Sequence, residues 1–77
     1  MTAADIAEVD ATGLNCPMPL LKAKRALNAL QPGQRLRVLA TDPASQRDFQ
    51  VFAELSGHRL LASAEAAGVY SFLLEKR

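Results

Sequence analysis

The sequence predicts an α/β (α+β) fold: a two-layer sandwich in the order β-α-β-α-β-β, with a four-stranded mixed sheet carrying two helices on one face. Three observations lead there. Apolar residues alternate at period two in three short stretches, run near-continuously in a fourth, and recur at period three to four in two longer ones. Breakers stand between them at Gln31-Pro32-Gly33, Asp42-Pro43, Ser56-Gly57 and Gly68. With 77 residues the chain makes one domain, residues 1–77, near the lower limit of what folds alone, and two packed layers suit that size.

Residues 6–11, Ile-Ala-Glu-Val-Asp-Ala, alternate and read as a first strand, with Ala7, Val9 and Ala11 on one face. Residues 12–15 form a loop. From Pro17 to Leu30 the period becomes helical: Leu20, Ala23, Leu27 and Leu30 make a stripe that Leu21 and Ala26 widen, while Lys22, Lys24, Arg25 and Asn28 take the other face. Pro17 suits the first helical position, where its missing N–H has no partner to lose, and Pro19 falls in the same first turn. Residues 35–41 end in a near-continuous apolar run, as an interior strand does. Asp42 reads as the cap and Pro43 as the first residue of a second helix, with Phe49, Phe52, Ala53 and Leu55 turned inward and Gly57 as its left-handed terminus. Residues 58–64 read as a third strand, with Leu60, Ala62 and Ala64 on one side. Residues 65–68 are a loop, and residues 69–75 a fourth strand with Tyr70, Phe72 and Leu74 on one face. The last two strands form an antiparallel hairpin. The first β-α-β unit is parallel and right-handed, as such crossovers almost always are.

Composition removes several function classes. A formal net charge of +1 gives no electrostatic case for direct nucleic-acid binding. The single cysteine excludes an internal disulfide framework and a C-x-x-C redox pair. One Cys, one His and scattered acids make no compact ligand set, so no metal or other cofactor is expected. Residues 1–8 carry two acids and no signal-peptide pattern, and no apolar run has the length of a membrane span. The expected location is the cytoplasm.

Chemistry concentrates at Cys16. It stands between a glycine-bearing loop and a proline-started helix, where a helix N-terminus favours a thiolate and loops expose it. A lone Cys is also a common core residue, so a structural thiol is the competing reading. His58 stands at the start of the third strand, far from Cys16 if both helices run the same way relative to the sheet, and that disfavours a Cys–His pair for hydrolysis or acyl transfer. Sulfur relay remains: it needs one exposed thiolate, no helper base, and no second thiol to discharge a persulfide.

Asp10-x-x-Gly13-x-x-Cys16-Pro17-x-Pro19, Lys22, Pro32-Gly33, Thr41-Asp42-Pro43, Arg47-Asp48, Gly57-His58 and Tyr70-x-Phe72 resemble the TusA/SirA sulfur-carrier family over nearly the whole chain. The resemblance implies that Cys16 carries persulfide sulfur. It implies a cysteine desulfurase or rhodanese-like donor and a downstream acceptor protein, with tRNA 2-thiolation at the end of one branch. Met18 stands where an acid is common in that branch, so the branch stays open. Asp10 and Gly13 shape the loop, Asp10 by side-chain-to-backbone hydrogen bonds. Asp42 is expected near Cys16, since both helices should start at one sheet edge. Met18, Lys22 and Arg25, joined by Arg47, form an expected docking surface for an acidic partner. Two other classes stay open: a regulatory or RNA/partner-binding module with a structural Cys, and a redox sensor that borrows its resolving thiol.

Overall fold

The structure, a computed structural model, describes residues 6–77. The part of the signal-peptide reading that rests on residues 1–5 lies outside the described residues. The elements run β1 (Ile6–Ala11), α1 (Met18–Asn28), β2 (Arg35–Ala40), α2 (Ser45–Ser56), β3 (Arg59–Ala66) and β4 (Val69–Glu75), in the order the sequence predicts. The sheet order is β1-β2-β4-β3. β1 and β2 pair in parallel, and β4 pairs antiparallel with both β2 and β3. The hairpin therefore folds back so that β4 lies between β2 and β3.

Register explains the two layers. Val9 is level with Val38, and Ala11 with Ala40. Val38 is level with Phe72, and Leu36 with Leu74. With side chains alternating across a strand, this puts Leu36, Val38, Ala40, Phe72 and Leu74 on one face. They are buried with Ala23 and Leu27 of α1 and Phe49 of α2. Phe49 and Phe72 stack with centroids 4.6 Å apart, tying α2 to the central strands. On the other face Glu75 lies 3.6 Å from Arg35 and 3.8 Å from Arg59, bridging three strands.

Several expectations are corrected. Pro17 is the residue flanking α1, not its first helical position, and Pro19 is the buried proline of the first turn. Asp42 does not cap α2: the chain makes a turn first, with the Ser45 amide donating to the Asp42 carbonyl at 2.9 Å, and the helix begins after Ala44. Leu21 and Leu55 are exposed, 48% and 83%, because α1 and α2 each turn only a narrow stripe to the sheet. The last hairpin has a two-residue connection, Ala67-Gly68, so Glu65 and Ala66 belong to β3. Leu60 and Ala62 do not share a face: Leu60 is level with Leu74 and Ala62 with Leu73, so Leu61 is an extra residue. That bulge inverts the alternation for the rest of β3. Gly57 takes the left-handed conformation at φ 84°, and its amide donates to the Ala53 carbonyl, closing α2 as expected.

Candidate functional site

The parallel strands β1 and β2 end side by side at Ala11 and Ala40, and the loops that follow meet beyond that edge. Such an edge gathers groups from different parts of a chain. Asp10 ends its strand by accepting from the Thr12 amide at 3.0 Å and the Thr12 hydroxyl at 2.6 Å. The hydroxyl bond, then the amide bond, hold its carboxyl below the usual range. Gly13, at φ 80°, points its amide across to the Thr41 hydroxyl at 2.8 Å, which joins the two loops.

Asp42 makes the second junction. One carboxylate oxygen accepts from the Ala44 amide at 3.1 Å and the other from the Cys16 amide at 2.6 Å. The Cys16 thiol is exposed and donates to Asp48 Oδ2 at 3.0 Å. Asp48 lies in the first turn of α2, where a negative side chain suits the helix dipole. One cysteine is thus held by its backbone to the β2–α2 loop and by its sulfur to the helix that follows.

This geometry corrects the expectation of a stabilised thiolate. The Asp48 hydrogen bond, then desolvation, then the negative charges of Asp48 and Asp42, push the Cys16 thiol above its ordinary value. The start of α1 has little to set against them. Pro17 and Pro19 have no N–H, and the Met18 amide is already bonded to the Asn15 carbonyl at 2.8 Å. These neighbours favour the thiol over the thiolate.

The residues expected to dock a partner fall into two groups. Met18, 45% exposed, lines a depression of about 330 Å³ with Lys22, Arg25, Leu21 and Val9 on the β1 side of α1. Arg47 is not part of it. It lines a second groove of about 610 Å³, between α1 and α2, with Lys24, Asp48, Val51 and Leu55. His58 lies past the far end of α2 from Asp48, accepts from the Arg77 amide at 3.0 Å through Nδ1, and packs beside Phe52. It takes no part in the thiol site. The residues that the site reading passed over are Asp48 and Thr41. Both stand in motif segments of the sequence, Arg47-Asp48 and Thr41-Asp42-Pro43, but no spacing rule says which side chain of a helix turn reaches a distant loop.

The family model described as Sulfurtransferase TusA matches residues 7–76. The chain belongs to the TusA family. Among its TusA relatives, the sulfur carrier protein TusA of Allochromatium vinosum is 52% identical over 69 residues, 90% of this chain and 91% of that protein. The protein of the same name from Pseudomonas aeruginosa is 42% identical over 77 residues, 100% of this chain and 98% of that one. The crystal structure of a SirA-like protein from Desulfitobacterium hafniense superposes with a TM-score of 0.80 at 30% identity, covering 92% of this chain and 96% of the other. Membership and fold both agree with the resemblance read from the C-P-x-P segment.

Proposed function

We propose that this chain is a sulfur carrier that takes persulfide sulfur on Cys16 and passes it to an acceptor protein. The observation that carries the reading is an exposed, solitary thiol at the carboxyl edge of the parallel strand pair in a chain of the TusA family. A thiol in the open supports this reading over that of a structural cysteine, whose usual place is the core. The donor is a cysteine desulfurase or a rhodanese-like protein. The acceptor is a downstream relay protein, with thiolation of tRNA uridine one possible end of the route. Residues 1–77 act as a single sulfur-carrier domain in the cytoplasm, with no direct contact to nucleic acid or membrane.

Within this reading Cys16 is the catalytic residue. Asp10, Gly13, Pro17, Pro19 and Asp42 hold its loop. Met18, Lys22 and Arg25 form one docking patch, and Arg47 contributes to another on the opposite side of α1. The cations raise encounter rates with acidic partners. Incubation with a cysteine desulfurase and cysteine, followed by intact mass measurement, tests the proposal. It predicts a gain of one sulfur atom that is absent in Cys16→Ser. No gain with desulfurase or rhodanese-type donors overturns it.

A further inference from the structure

A thiol that attacks sulfur must lose its proton, and at rest this one keeps it. The group in contact with that proton is known from the geometry: Sγ donates to Asp48 Oδ2 at 3.0 Å. The other carboxylate nearby, Asp42, is engaged by the Cys16 and Ala44 amides. From α1, the cations Lys22 and Arg25 line the depression on the β1 side, while Lys24 of α1 and Arg47 of α2 share the groove that Asp48 borders. From β1 and its loop, Asp10 is turned to Thr12. We infer that Asp48 is the proton acceptor of sulfur loading and the proton donor of sulfur discharge. This rests on the reading of Cys16 as a persulfide carrier.

The steps balance. In loading, Sγ bonds to the outer sulfur of a donor persulfide anion, the donor's S–S bond breaks, and the donor leaves as a thiolate. The Sγ proton passes to Asp48. Cys16 becomes the persulfide anion and Asp48 a neutral acid, so the total charge is unchanged. In discharge, an acceptor thiolate bonds to the outer sulfur, the S–S bond to Sγ breaks, and the leaving Sγ takes the proton back from Asp48. Cys16 returns to the thiol and Asp48 to the carboxylate. No external oxidant or reductant enters. A carboxylate is too weak a base to strip a resting thiol. It takes the proton as the new S–S bond forms and Sγ loses its basicity, which is the condition for general base catalysis by a weak base. The same residue therefore suppresses the free thiolate and enables the transfer.

Glutathione persulfide is the probe, because it loads sulfur without a protein donor. Loading of the wild type, followed by intact mass, is expected to fall only a few-fold from pH 9 to pH 6. Asp48→Asn is expected to follow its thiolate fraction, losing roughly tenfold per pH unit below the thiol pKa, and to load at least about tenfold more slowly than the wild type at pH 6. Asp48→Glu should restore the flat profile. Alkylation by iodoacetamide, which reads the thiolate alone, should shift its midpoint to lower pH in Asp48→Asn. A variant that loads as fast as the wild type at pH 6, or an unmoved alkylation midpoint, overturns the assignment. A carrier that loads from glutathione persulfide with this pH signature yet accepts nothing from desulfurase or rhodanese overturns the relay reading instead.

Discussion

Cys16 and His58 are perturbed in the directions that make each neutral form the resting one, and their environments explain why. Around Cys16 the neighbours are carboxylates. Around His58 burial is the first cause, followed by the cations Lys76 and Arg77, and together they hold the imidazole below its ordinary 6.5. Its Nδ1 lone pair accepts the Arg77 amide, a contact that the imidazolium loses. A lowered folded-state pKa means that the unfolded chain binds more protons in the interval, so stability rises with pH there. The contribution from His58 is complete above 6.5 and is lost as pH falls from there through the lower folded value. Urea unfolding at a series of pH values should show this slope in the wild type and a smaller one in His58→Gln. At this scale the sequence was partly legible. Asp10 as a loop acceptor and Asp42 beside Cys16 follow from turn chemistry and from both helices starting at one edge. The Asp48 contact does not. It depends on the rotation of α2 about its axis, and the turn at residues 42–45 displaces the helix start from where Asp42-Pro43 suggests.

The β3–β4 hairpin carries a local conflict. Its two-residue turn places Ala67 at φ 53° and Gly68 at φ 82°, both left-handed. Glycine accepts this without penalty, whereas an alanine pays roughly 1–2 kcal/mol. The twist of the flanking strands asks for such a turn, and Asn-Gly is its favoured sequence. Ala67→Asn should therefore raise stability by about 1 kcal/mol, seen as a higher urea midpoint at unchanged slope. The hairpin itself could be read from alternation and Gly68. Its register could not, because Leu61 is an added residue in β3 and nothing in Leu60-Leu61-Ala62 distinguishes a bulge from plain alternation. The helices were readable from their periods, but their stripes were read too wide. Leu21 and Leu55 fit the apolar pattern and stand in solvent.

The whole molecule depends on one shared core, in which Phe49 is the fully buried aromatic from the helix layer and Phe72 its stacked partner from the sheet. Deleting such a ring ordinarily costs about 3–5 kcal/mol. A domain of this size has little more than that to lose, since folded proteins hold roughly 5–15 kcal/mol and small ones lie at the low end. Phe49→Ala should lose its cooperative thermal transition, and Phe49→Leu should keep it at a lower midpoint. Strand count, directions and helix placement were legible because each follows from a local period or a short connection. The insertion of β4 between β2 and β3 was not, because α2 is long enough to deliver β3 to either a neighbouring or a more distant position.

One feature of the thiol loop reaches beyond the single molecule. Asp42 and Asp48 stand beside Cys16 in every copy, although the chain as a whole carries a formal charge of only +1. For two copies to link through their sulfurs, two pairs of like charges must be brought together at contact distance, and one thiol must first ionise against its own carboxylates. Self-association through oxidation should therefore be slow: air-exposed protein on a non-reducing gel should stay a single-chain band, and Asp48→Asn should accumulate the linked pair sooner. A courier that refuses its own kind keeps its hands free for strangers.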